Sequence, residues 1–254
     1  MSDSEFPYRR IVAELRASIL DGRLASGDRL GSEWELAEAF ATSRPTVRRA
    51  VAVLKAEGLV VSGQGKGTFV RPRPPAQLVI TAANFRKHRD ARQPGFNAQI
   101  TEQGRRPRQR LLSVSEAGAP SDVAGLLGLE TDAAVVARKR LFLVDDEPVA
   151  TCDSYYPADL VRGTALAKSC LIRGGAITVI EDAEGPIQRT LARSVDELTS
   201  RMPKPAEVDQ LRLTPGTPVM RIVRTMYDVD NAPVEVQVTV AAADRHSFRY
   251  EVDL

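Results

Sequence analysis

The sequence holds only two cysteines, Cys152 and Cys170, and two histidines, His88 and His246, in 254 residues. Two thiols are too few for a disulfide framework, and without clustered histidines they do not build a zinc site. Both read as reduced, small hydrophobic side chains, and no metal ligand is expected. Two isolated imidazoles make a poor acid–base pair, and the H-E-x-x-H, G-x-S-x-G and P-loop patterns are all missing. The sequence therefore points to no catalytic residue and no cofactor. No run approaches the roughly eighteen apolar residues that suggest a membrane span. The start, MSDSEFPYRR, is acidic and then basic, without the apolar stretch of a signal peptide. The expected location is the cytoplasm, with no membrane partner.

Net charge is also small, +2, but its distribution is uneven. Residues 1–75 carry 12 Lys and Arg against 9 Asp and Glu, residues 76–110 carry 8 against 2, and the remainder carries 15 against 22. A basic N-terminal third favours a polyanionic partner, and the acidic remainder does not. The length and the 43% hydrophobic content suit two modest domains with ordinary cores.

Ile11, Val12, Leu15, Ile19 and Leu20 recur at helical spacing and predict a first helix ending near Asp21-Gly22, where glycine suits a C-terminal cap. Ser32-Glu33-Trp34-Glu35 fits the S-x-x-E capping box and starts a second helix. A third follows after a short turn, capped by Ser43 with Pro45 in its first turn. Val47, Ala50, Val51 and Leu54 make its buried stripe, and Arg44, Thr46, Arg48 and Arg49 lie around the rest. Arginine can bond a guanine edge bidentately, and hydroxyls and further arginines hold phosphates. A solvated cationic helix face would look the same by itself. The next segment favours a DNA reader: Leu59-Val60-Val61 and Thr68-Phe69-Val70 flank Ser62-Gly63-Gln64-Gly65-Lys66-Gly67, a glycine-tipped hairpin with one lysine. Helix, turn, helix and basic hairpin is the winged helix-turn-helix order.

Residues 8–70 resemble the N-terminal domain of the GntR superfamily of bacterial transcription regulators, on the strength of SRPTVRRAVAVLKAEGLV and GQGKGTFV. The resemblance implies that Arg44 reads bases, that Thr46 and Arg48 hold DNA, and that the wing tip, Gln64, Gly65 and Lys66, enters the minor groove. Ser32, Ser43 and Arg49 join the expected DNA-binding set. The family's usual P-S-E-R-E is here Gly31-Ser32-Glu33-Trp34-Glu35, so Trp34 stands where an arginine resembles a phosphate contact, and Arg29 is the candidate replacement.

Arg71-Pro72-Arg73-Pro74-Pro75 is a semi-rigid spacer. The expected division is a DNA-binding domain at 1–72, a linker at 73–84 and a second domain at 85–254. The basic stretch from Phe85 to Arg110 reads as a solvated loop, with an additional DNA contact as its alternative. Beyond it the chain repeats weakly. Pro120-Ser121-Asp122-Val123 is echoed by Pro205-Ala206-Glu207-Val208, and the turn at Pro148 by that at Pro233, each echo offset by 85 residues. Strands Leu111–Ser115 and Ile187–Val195 lead into the two units, which predicts an antiparallel sheet with packed helices, an α+β domain. This region resembles the UTRA effector-binding domain, of chorismate-lyase-like fold, that marks the HutC subfamily. The match rests on Arg138-Lys139-Arg140, Ser154-Tyr155-Tyr156-Pro157, Pro233-Val234-Glu235 and Asp244-Arg245-His246.

Arg138 and Arg140 leave one face of a strand, where paired guanidiniums fork around carboxylate or phosphate, and Glu235 can accept hydroxyl or amine donors. Taken alone, these are equally the wet sides of half-exposed strands. The resemblance implies instead that Arg138, Arg140, Ser154, Tyr155 and Glu235 line an effector pocket. Members that bind phosphosugars tend to carry tyrosine six residues after the glutamate, and Ala241 stands there. A different anionic metabolite or a larger apolar one is then as suitable as a sugar phosphate. The expected function is a ligand-responsive repressor that binds a palindromic operator as a homodimer and is released by a small-molecule effector. The alternatives are a regulator with a vestigial pocket and a lyase-like enzyme, the latter resting on fold alone.

Overall fold

The computed structural model describes residues 7–63, 67–71, 78–81 and 95–250. The chain divides into two compact units, one of Met1–Pro75 with Leu213–Thr217 and one of Ala76–Arg212 with Pro218–Leu254.

The first unit contains α1 (Pro7–Leu20), α2 (Glu33–Ala39) and α3 (Arg44–Ala56), followed by strands β1 (Val60–Gly63) and β2 (Gly67–Val70), which pair antiparallel. Gly22, at φ +81°, takes the left-handed conformation just past α1, as a helix stop requires. The predicted capping box closes α2: Ser32 Oγ accepts from the Glu35 amide at 3.1 Å, and the Glu35 carboxylate accepts from the Ser32 amide. Val47, Ala50 and Leu54 of α3 are wholly buried and pack with Ile11, Val12, Leu15, Leu30 and Val60 into one core. Each large side chain buried there contributes about 1.5–3 kcal/mol.

The second unit is built on six antiparallel strands in the order β4-β5-β6-β9-β8-β7. These are β4 (Pro107–Gly118), β5 (Ala134–Val144), β6 (Glu147–Pro157), β7 (Leu191–Arg201), β8 (Val219–Asp228) and β9 (Pro233–Ala242). Helix α5 (Ser121–Leu127) follows β4, and α8 (Pro205–Leu211) follows β7. Each half of the sheet is therefore strand, helix, hairpin, and the two hairpins meet at β6 and β9. The repeat seen in the sequence is thus a structural repeat. Asp145 and Asp146, both at positive φ, turn the first hairpin, as a tight two-residue loop demands.

Three segments differ from expectation. The expected linker, 73–84, contains strand β3 (Leu78–Thr81), paired in parallel with β10 (His246–Arg249). The expected solvated loop, Phe85 to Arg110, contains α4 (Gly95–Glu102), whose Ala98, Gln99 and Ile100 are buried. Arg86, Lys87 and Arg89 lie outside the described residues. Strand β7 begins at Leu191 rather than Ile187, because Gln188 takes a positive φ of 50° that breaks extended backbone. The sheet face carrying Val223, Val236 and Val238 packs on α5 through Val123, Ala124 and Leu127. The other face is covered by α4, β3, β10, α6 (Ala158–Val161) and α7 (Ala176–Ile180). Among the described residues no helix is long and apolar enough to cross a membrane.

Candidate DNA-reading surface and effector cavity

At the start of α3, Ser43 Oγ caps the helix by accepting from the Thr46 amide at 3.4 Å, and it lies 2.8 Å from Thr46 Oγ1, so the two hydroxyls are also bonded to each other. Arg44 and Arg48 both turn towards α2. Arg48 donates through Nε and a terminal nitrogen to the two oxygens of Glu33, at 2.9 and 2.8 Å, and Arg44 stands 3.7 Å from the same carboxylate. Hydrogen bonding from Arg48, reinforced by the charge of Arg44, holds the Glu33 carboxyl below its ordinary pKa. Both arginines remain mostly exposed. Arg49 departs from this pair: its guanidinium stacks 4.1 Å from the centre of the Tyr8 ring on α1. Ser32 is occupied with the capping box. The wing residues Gln64, Gly65 and Lys66 lie outside the described residues, between β1 and β2. Trp34 is 63% exposed on α2, and the backbone of Arg29 forms an isolated antiparallel bridge with that of Phe69 on β2.

The sequence did not single out Glu33 as an organiser of Arg44 and Arg48. Its partner lies 15 residues away in sequence, and only the helix-turn-helix packing brings them together. A Glu33→Gln chain should bind random duplex DNA about three- to fivefold more tightly, since one carboxylate near the phosphates is worth roughly 1 kcal/mol or less at an exposed site. Fluorescence anisotropy reads this directly. Weaker binding would mean that Glu33 aims Arg48 rather than holding it back.

In the second unit, strand register lays side chains in transverse rows on the covered face. Arg138, Ser154, Gln237, Arg224 and Asp196 are cross-strand neighbours from β5 through to β7. The adjacent row is Arg140, Cys152, Thr239, Ile222 and Leu198. Apolar clusters lie at both ends of this face, one around Phe142, Ala150 and Ala241, the other around Val136, Tyr156 and Met226. Between them is a cavity of about 190 Å³. Its polar lining includes Arg140, Arg224, Asp196, Glu235, Gln237, Gln109 and Thr239, and its apolar lining includes Phe96, Phe142, Ile177, Ile222 and Phe248.

Of the five effector residues expected from the sequence, two line this cavity. Arg140 donates to Cys152 Sγ at 3.2 Å and to Ser154 Oγ. Burial opposes its charge, and the neighbouring Cys152, Tyr156 and Glu235 outweigh burial, so its pKa lies above the ordinary value. Glu235 is wholly buried, and its Oε1 accepts from Tyr156 Oη at 2.7 Å and from Gln237 Nε2 at 2.9 Å. Burial, then the charge of Glu235, raises the Tyr156 pKa well above that of a free phenol, so the hydroxyl keeps its proton. Ser154 is buried beneath Arg140 and positions it.

The other two do not join the site. Arg138 donates to the carbonyls of Ala165, Leu166, Lys168 and Cys170, which uses its guanidinium on backbone. Tyr155 points to the opposite face, where it packs with the Val123 and Val236 cluster, and burial raises its pKa to about 12. Its neighbour Tyr156 is the tyrosine on the cavity face, as the two-residue period of β6 requires. Arg224 and Asp196, a bidentate pair at 2.7 and 2.6 Å, were missed. Arg224 shares the cavity face of β8 with Ile222 and Met226, while Arg221 lies on the other face, and strand alternation alone does not tell the two arginines apart.

Comparison with known proteins agrees with both parts. Residues 7–70 match the bacterial regulatory proteins of the gntR family, and residues 102–247 match the UTRA domain. An HTH-type transcriptional regulator of Streptomyces coelicolor is 33% identical over 96% of this chain and 91% of its own. The HTH-type transcriptional repressor NagR of Bacillus subtilis is 27% identical over 97% and 94%. A solved structure assigned to the GntR family superposes with a TM-score of 0.70 at 25% identity, covering 99% of both chains. PhnF from Mycobacterium smegmatis, at 24% identity over 95% of this chain and 98% of its own, shares the fold with a TM-score of 0.58. A helix-turn-helix head with two poised arginines, followed by a duplicated sheet with a lined cavity, thus has the same order of parts as these regulators, and the chain belongs to the GntR family of transcriptional regulators, in the branch that carries a UTRA domain.

Proposed function

We propose that this regulator is a cytoplasmic repressor that binds a palindromic operator as a homodimer and leaves it when a small molecule fills the cavity of the second unit. The observation that carries the effector part is the cavity itself: Arg140 and Glu235 converge on it from two different strands, beneath a cover of α4, β3 and β10. Polar groups converging in an apolar enclosure are the usual signature of a ligand site. Arg44 reads a base edge, while Thr46, Arg48, Ser43 and Ser32 hold the backbone near the N-termini of α3 and α2, and Gln64, Gly65 and Lys66 serve the wing. Arg49 reaches phosphate from beside Tyr8. Residues 1–72 form the reading domain and 85–254 the effector and dimerisation domain, with β3 added to the latter. The Bacillus subtilis relative is a repressor by name, which supports repression as the mode. Two-fold operator symmetry would match a two-fold dimer.

The test is a titration of the full chain against duplexes from its own upstream region. Specific binding should fall steeply and linearly with log salt, since phosphate contacts release counterions. Equal affinity for upstream and random duplexes at every salt concentration would end the proposal.

A further inference from the structure

Two buried polar atoms on the cavity wall have opposite hydrogen-bonding needs. Arg140 Nε, a donor, and Glu235 Oε2, an acceptor, find no partner among the described residues, although the other ends of both groups are held. The two belong to one connected wall. Arg140 is bonded to Ser154, Glu235 is bonded to Tyr156, and Arg138, Ser154 and Gln237 are cross-strand neighbours. A buried group left unsatisfied costs about 1–3 kcal/mol, more when charged, so such a pair favours a molecule that meets both needs.

Charge narrows the class. Among the described residues, the acidic and basic side chains facing the cavity are Arg140, Arg224, Asp196 and Glu235, two of each kind, and Arg224 is balanced by its bidentate pairing with Asp196. His246 also lines the cavity, and burial pushes its pKa down, towards the neutral form. A dianionic phosphate would find one available guanidinium and an opposing carboxylate. A molecule carrying one carboxylate and one ammonium leaves the balance unchanged. The remaining wall, with Ile80, Phe96, Phe142, Ile177, Ile222 and Phe248, accepts a hydrocarbon or aromatic body. The volume of about 190 Å³ exceeds the roughly 150 Å³ that suffices for benzene.

We propose that the cavity takes an apolar amino acid or a close zwitterionic analogue, its carboxylate on Arg140 Nε, its ammonium on Glu235 Oε2 and its side chain against the phenylalanine wall. This deepens the reading of the cavity as an effector site and rests on it. A simple fatty acid brings no donor for Glu235 Oε2, and a sugar phosphate, whose hydroxyls can donate there, brings a second negative charge with no guanidinium left to balance it.

The test is calorimetric titration of the full chain with L-phenylalanine, L-leucine and L-methionine, alongside 3-phenylpropanoate, 2-phenylethylamine and glucose 6-phosphate. At least one amino acid should bind, and deleting its ammonium or its carboxylate should weaken binding tenfold or more. The isosteric Glu235→Gln chain should lose the amino acid while keeping 3-phenylpropanoate, and Arg140→Gln should lose it while keeping 2-phenylethylamine. A chain that had merely lost its packing would lose all of them. Tighter binding of glucose 6-phosphate, or no binding by any amino acid, overturns the proposed class. Release from upstream DNA, measured in the same samples, separates the two readings. Release by glucose 6-phosphate but not by amino acids would keep the effector site and discard the class, whereas an absence of specific DNA binding would discard the regulatory reading itself.

Discussion

Replacing Arg44 by alanine is expected to weaken binding to the operator by about 1–3 kcal/mol, roughly 5- to 150-fold, and to relax base preference at one position of each half-site. Arg44 is the first residue of α3, where a recognition helix meets base edges, and its side chain is largely exposed. Its salt-bridge partner, Glu33, lies 3.7 Å away, while the same carboxylate holds Arg48 at 2.8 and 2.9 Å. Arg48 is thus the more restrained of the two and suits a phosphate, and Arg44 is the freer and suits a base. Binding to random duplex should change little in the Arg44→Ala chain. For Arg48→Ala the loss should instead be similar on all sequences, with a shallower salt slope. Equal losses on operator and random DNA for Arg44→Ala would contradict the base-reading role.

Arg138→Ala should destabilise the second unit by about 3 kcal/mol or more while leaving DNA affinity intact below the new melting point. The side chain is 4% exposed and donates to four carbonyls of the segment Ala165–Cys170, at 3.3, 2.8, 2.8 and 2.7 Å. Removing it leaves those acceptors without their donor, the carbonyl of Leu166 in a buried position and the other three in part-buried ones. For a unit of this size each kcal/mol moves the melting temperature by roughly 2–4 °C, so a fall of about 6–12 °C is expected. Arg138→Lys should lie between, because an ammonium has three donors and no fork. A chain that kept its melting temperature but lost response to every effector would return Arg138 to the role of ligand contact.

How much of this was legible in the sequence depends on the range of each interaction. The helix caps at Ser32 and Ser43, the buried stripe of α3 and the stop at Gly22 are local, and spacing alone placed them. The duplication was legible because the two halves share one offset, and the sheet order β4-β5-β6-β9-β8-β7 is its spatial form. What escaped depended on which face each strand presents. Tyr155 and Tyr156 are adjacent, and a single-residue shift exchanges the sheet face. The carbonyls that hold Arg138 belong to the short 3-10 turn Ala165–Ala167 and the residues just after it, too short for an apolar period to announce it. Helix α4 lacks a capping signal and starts at Gly95. It is stabilised by the burial of Ala98 and Ile100 and by contact between Phe96 and Phe142, with ring centres 4.5 Å apart. Arg224 and Asp196 became visible as a pair only through the register of β7 and β8.

Filling the cavity should govern DNA binding by the helix-turn-helix unit. An effector can do this only through different affinity for the DNA-bound and DNA-free states. The direct measurement is operator affinity by fluorescence anisotropy, with and without a cavity ligand identified by calorimetry, for the natural chain and for Glu235→Gln. The ligand should weaken operator binding at least tenfold in the natural chain and much less in Glu235→Gln, with both chains binding equally tightly when no ligand is added. Operator affinity that stays the same with the cavity saturated would contradict it.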